Sequence, residues 1–225
     1  MKTTRNLFNL AVIVMVICVT SSCKKKAAIA PETKAEALDI REYVLVTRET
    51  NSNNWVVNIN LRSFEAQSKS IVFNEGGRIP DNGFTYSYEN GVLKLFYDGR
   101  LNQELKIENK TIAPKKLSGI TTSYQLIKIP TENPFNGTTY SGGWKSEGSL
   151  LTTVATLKFT DTHYSEASLN IPVPNKTYEL FKNLAAYKND LTNNVKTVWL
   201  LSDGKMEGYR KYNSGNSVTG TFSKQ

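Results

Sequence analysis

From Asp39 onward the chain alternates apolar and polar residues with a period of two. Trp55, Val57, Ile59 and Leu61 are separated by Val56, Asn58 and Asn60, the pattern of a strand with one buried face. Phe84, Tyr86 and Tyr88 alternate with Thr85 and Ser87, and Asn90-Gly91 leads into the apolar run that starts at Val92. Asn-Gly accepts the positive φ angles that a two-residue hairpin turn demands. Asp98-Gly99 turns the chain again, into Leu101, Gln103, Leu105 and Ile107 at alternate positions. The first half therefore predicts a β-meander.

The second half repeats the style. Thr153, Ala155, Leu157 and Phe159 alternate, as do Ala167, Leu169 and Ile171. Residues 195–202 read as a strand around Trp199. Asp203-Gly204 returns the chain into 206–212, and Asn213-Ser214-Gly215-Asn216 returns it into 217–222. Residues 178–191 are ambiguous: Leu180, Phe181, Leu184 and Tyr187 have near-helical spacing, whereas two strands around Lys182-Asn183 suit the surroundings better. The fold class expected is all-β, with one or two small antiparallel meander barrels or sandwiches. Pro130 and Pro134 interrupt pairing. They mark a boundary between a β-meander domain, residues 39–130, and a second β-domain, residues 134–225. A long loop within one larger β-fold is the alternative.

The N-terminus departs from this pattern. Lys2 and Arg5 precede an unbroken apolar run at 10–19, and no acidic residue occurs before Glu32. A run of that length is short of the ~20 residues a membrane-spanning helix needs and suits the core of a signal peptide. Thr20, Ser21 and Ser22 are small and lead directly to Cys23. On these residues the segment resembles bacterial lipoprotein precursors of the Bacteroidetes type. The resemblance implies a signal peptide over 1–22, cleavage between Ser22 and Cys23, and lipid on Cys23. Thr20 departs from the leucine usual at its position. Lys24 is not the aspartate that retains such proteins at the inner membrane, and the run after Cys23 is basic rather than acidic. The implied address is the cell envelope, anchored at the periplasmic face of the outer membrane. An ordinary signal peptide with an incidental thiol is the alternative. Residues 23–38 are rich in Lys, Ala and Glu without apolar periodicity. They read as a flexible tether reaching on the order of 20 Å.

Composition narrows the chemistry. Cys18 leaves with the leader, so a lipidated Cys23 leaves neither a free thiol nor a disulfide. With His163 the one histidine, Cys/His zinc coordination is out of reach, and no metal or cofactor is expected. The formal charge falls from +8 to +6 once Lys2 and Arg5 are removed. This excess is spread along the chain without the basic stripe or module of a nucleic-acid binder.

One further resemblance concerns the second half. Asn136-Gly137-Thr138-Thr139-Tyr140, Gly142-Gly143-Trp144, Leu157-Lys158-Phe159-Thr160-Asp161 and the terminal Gly220-Thr221-Phe222 resemble the opening and end of lipocalin-like domains. That resemblance implies a small meander barrel closed at one end by Trp144, with a small apolar ligand inside. Gly142 and Trp144 become the candidate barrel-closing or ligand residues. Trp144 as the plug of a filled barrel is the competing reading, because small barrels are commonly filled by side chains.

Catalysis finds little footing. His163 follows Asp161 by two residues, but a triad also needs a nucleophile held against its base, and no Gly-x-Ser-x-Gly elbow occurs. No carboxylate pair, phosphate loop or calcium loop stands out. The expectation is a non-enzymatic, lipid-anchored binding or scaffolding module. Its partners are the membrane through Cys23 and a small apolar ligand, a glycan or an envelope protein. A cryptic carbohydrate-binding or carbohydrate-active protein is the alternative. Tyr86 with Tyr88, and Tyr209 with Tyr212, are candidate exposed stacking faces; as strand residues they are equally suited to half-buried surface.

Overall fold

The structure, a computed structural model, describes residues 38–74, 77–78, 83–170 and 172–225. The segments expected to be a signal peptide, with Ser22 and Cys23, and a tether before Leu38, together with Ile171, lie outside the described residues. No helix among the described residues is long and apolar enough to cross a membrane.

The protein is all-β. Its first half contains β1 (Tyr43–Thr50), β2 (Val56–Phe64), β3 (Ser70–Asn74), β4 (Gly77–Arg78), β5 (Phe84–Glu89), β6 (Val92–Tyr97), β7 (Arg100–Glu108), β8 (Thr111–Ile112), β9 (Lys115–Leu117) and β10 (Ile120–Lys128). The second half contains β11 (Thr139–Ser146), β12 (Thr152–Phe159), β13 (His163–Ala167), β14 (Lys176–Thr177), β15 (Glu179–Phe181), β16 (Ala185–Asp190), β17 (Val195–Ser202), β18 (Lys205–Tyr212) and β19 (Ser217–Lys224). The hairpin turns are where the sequence puts them: Asn90, Asp98 and Asp203 have positive φ, each followed by a positive-φ glycine. The ambiguous segment 178–191 forms two strands, and Lys182 and Asn183 at the turn have φ of 51° and 50°. The strand expected over Ala167–Leu169–Ile171 ends earlier, at Ala167, and Leu169 is exposed beyond it.

Three sheets form among the described residues. A six-stranded sheet has the order β4-β3-β2-β1-β10-β9, and a smaller one runs β5-β6-β7-β8. The third, in the order β14-β13-β12-β11-β19-β18-β17-β16-β15, curls into a nearly closed barrel. The chain passes from β14 through Tyr178 directly into β15, which joins the two end strands, and the backbone N–H of Tyr178 donates to Thr162 O at 3.2 Å as a continuation of the β13–β14 pairing.

Two cores hold these layers. Inside the barrel lie Phe135, Leu157, Phe159, Trp199, Met206 and Phe222, all fully buried. The second core lies between the outer face of the barrel and the six-stranded sheet. There Leu184, Val198, Leu200 and Tyr209 meet Val44, Val46, Ile59 and Leu61. On the far side of that sheet the Phe64 and Tyr86 rings meet edge-on at 4.9 Å. A central strand buried on both faces explains the continuous run Tyr43-Val44-Leu45-Val46, all four of whose residues are buried. The halves divided at Pro130–Pro134 thus form separate sheets but share a core, and Asp39–Gln225 is one compact unit. The guanidinium of Arg48 on β1 grips the Glu207 carboxylate on β18, through Nε at 2.9 Å and Nη2 at 3.1 Å, and ties the two halves together.

Candidate binding site at the barrel mouth

The two ends of the barrel differ. At one end Phe135 is wholly buried against Phe159, Tyr140 and Tyr178 and plugs the interior. Asn133 fixes this plug: its side-chain oxygen accepts from Phe135 N at 3.0 Å, and its amide donates to Tyr178 Oη at 3.2 Å. The other end is open, and Trp144 forms its floor.

Alternation on β11 turns Tyr140 and Trp144 inward. The indole of Trp144 packs edge-to-face on Phe222 at 5.1 Å. Glycines make the room for these rings. A Cβ on Gly208 would stand 2.5 Å from Trp144 Cη2, and one on Gly142 would stand 2.0 Å from Thr221 O. Both residues singled out by the sequence, Gly142 and Trp144, therefore lie at the tightest part of the barrel wall.

Sequence reading missed the partners of Trp144. Glu166 Oε1 accepts from Trp144 Nε1 at 2.7 Å, and Glu166 Oε2 accepts from Arg210 Nη2 at 2.6 Å. Arg210 Nε donates to Thr197 Oγ1 at 3.2 Å, and its guanidinium lies 4.1 Å from the Trp144 ring centroid. The pair is mostly enclosed, so its ends must satisfy one another, and they do. Just below, burial pushes the Tyr164 phenol well above its ordinary pKa. Glu166 and Arg210 each lie two residues beyond an inward-facing position, Tyr164 and Gly208. A charged residue at an inward register was the available signal.

Above this floor is a hollow of about 390 Å³ lined by Trp144, Glu166, Ser168, Lys176, Arg210 and Tyr212. A second, more polar cleft of about 700 Å³ adjoins it and shares Ser146, Tyr212 and Val218. Chemically the mouth offers an aromatic floor, a neutralised ion pair and one lysine.

The other sequence candidates fall elsewhere. Tyr86 and Tyr209 are not exposed stacking faces. Both are buried, donating to Glu65 O at 2.9 Å and to Val57 O at 2.8 Å, because each lies between two packed sheets. His163 Nδ1 is 2.8 Å from Thr162 Oγ1, while the Asp161 carboxylate accepts from Asn133. Among the described residues no group of three or more His, Cys, Asp or Glu side chains is placed to hold a metal ion. Comparison with known proteins found no matching family model, no matching curated protein and no matching solved structure.

Proposed function

We propose that this protein is a lipid-anchored envelope module that binds a small ligand, without catalysis, at the open mouth of its barrel. The observation that carries the reading is the hollow above Trp144, Glu166 and Arg210. Fully buried side chains fill the barrel beneath it, so the ligand sits on the floor rather than inside a cavity. An apolar ring or chain packs on Tyr212, above the Arg210 guanidinium that covers Trp144, and Lys176 at the margin favours an anionic or hydroxylated group on the same ligand.

Thr153 is exposed at this margin and its side chain can be enlarged without entering the core. Native mass spectrometry of the protein extracted from membranes in mild detergent should show a bound small molecule. Thr153→Trp, which fills the mouth, should release it while leaving the unfolding midpoint unchanged. Equal retention by the variant would place the ligand elsewhere and overturn the reading. The anchor is tested separately: a fatty-acid analogue fed to cells should label the wild-type chain and not Cys23→Ala, and label on the variant would remove lipid from Cys23.

A further inference from the structure

We propose that the rim of the open barrel end docks on the surface of an anionic lipid bilayer. The first observation is where the protein exposes its aliphatic side chains. Leu150, Leu151, Leu169, Val173 and Leu191 are between 78% and 95% exposed, more than any other large hydrophobic residue described. Single exposed leucines are ordinary on a protein surface, whereas a group of them marks a contact surface.

Strand register places all five at one end. Lys145 pairs with Thr152, so Leu150 and Leu151 belong to the loop closing β11 onto β12 at the mouth. Thr156 pairs with Ala167, which sends Leu169 and Val173 into the loop beyond β13 at the same end. Ser146 pairs with Val218, β18 feeds β19 there, and Val195 pairs with both Tyr212 and Asp190. The turn carrying Leu191 therefore joins the same rim. Three separate loops each present aliphatic side chains around a ring, a form suited to insertion between lipid headgroups rather than to gripping one strand or helix.

The second observation is charge. Lys145, Lys176, Lys188, Lys196 and Lys211 lie at this end of strands β11, β14, β16, β17 and β18. Glu147 and Asp190 are the acidic residues beside them, while Glu166 and Arg210 neutralise each other. Aliphatic side chains for the acyl boundary, surrounded by a cationic excess for anionic headgroups, are the two components of interfacial binding. A second copy of this chain would carry the same lysines to the contact, so charge favours lipid over self-association.

This surface surrounds the proposed ligand site and shares Lys176 with it, but vesicle binding requires neither the ligand nor the anchor. Asp39 lies at the other end of β1 from the rim. Fifteen residues separate it from Cys23, a contour of about 50 Å at full extension. An eight-residue strand spans about 27 Å, so an anchored chain is long enough to lay the rim on the membrane that holds it.

The test uses residues 24–225, which keep the whole compact unit and both cores while lacking the anchor cysteine. Vesicles of phosphatidylglycerol and phosphatidylethanolamine are compared with phosphatidylcholine alone in co-sedimentation. Binding is expected on the anionic vesicles only. It should fall about tenfold in about 0.5 M salt, where charge is screened. The triple variant Leu150→Ser, Leu151→Ser, Leu169→Ser should weaken it at least as much. These residues are exposed, so its circular dichroism and melting should match the wild type. No binding to anionic vesicles, or binding indifferent to the triple change, overturns the proposal. So does a concentration-dependent dimer that the triple change dissolves, since the rim would then be covered by a second copy.

Discussion

Alanine at position 199 should destabilise the compact unit by about 3–5 kcal/mol, the cost of truncating a buried aromatic in a core that cannot collapse around the void. Trp199 is fully buried on β17, with Tyr164 at 4.6 Å and Phe159 at 5.6 Å, both in edge contact. Each such ring pair contributes about 0.5–1.5 kcal/mol beyond area burial. Its indole N–H has no hydrogen-bond partner in the structure. Trp199→Phe therefore loses volume but also removes an unsatisfied donor, and should cost about half as much as alanine. Urea unfolding of both variants measures the difference. A cost below about 1 kcal/mol for alanine would mean a loosely filled barrel and would return the ligand from the mouth to the interior.

Why the halves form one unit was readable in part. Val198-Trp199-Leu200 is a continuous apolar run, with Trp199 facing the barrel interior and its neighbours facing the six-stranded sheet. Strict alternation describes a strand with one wet face, so a search for period two passes over strands that are dry on both sides. That is why β1, with its run of four buried residues, gave no alternating signal, while β2, β5 and β7 did. The shared core follows from such runs, but which surface covers the second face is a matter of tertiary packing that no local pattern carries. Turns were legible because they are local: a positive φ at Asn90 or Asp203 depends on its own residue and the next. The site was half legible for the same reason. Gly142 and Trp144 are neighbours in sequence, whereas Glu166 and Arg210 are joined only when β13 and β18 reach the same mouth from different parts of the sheet. A glutamate and an arginine at alternating positions otherwise read as solvent-facing charge.

Gly142→Ala should cost about 3 kcal/mol or more, the upper range for a side chain forced into a packed site, because the obstacle here is backbone. The new Cβ would lie 2.0 Å from Thr221 O and 2.8 Å from Phe222 Cα. Gly142 and Phe222 are register partners, and β11 pairs with β19, the middle strand of the nine-stranded sheet. Relief therefore requires that seam to part, and parting it disturbs both cores, since β18 beside it carries Tyr209 outward and Met206 inward. Gly99→Ala is the comparison. Gly99 has φ of 73° with open space around it, so alanine there meets only the left-handed backbone penalty of about 1 kcal/mol. Equal losses at the two positions in chemical denaturation would show that β11 and β19 separate easily. The expected inequality has a functional counterpart. Trp144 stands two residues along β11 on the same face as Gly142, and its hydrogen bond to Glu166 leaves little play. A displaced seam moves that indole off the carboxylate, so Gly142→Ala should lose ligand from the mouth along with stability, whereas Gly99→Ala should keep it.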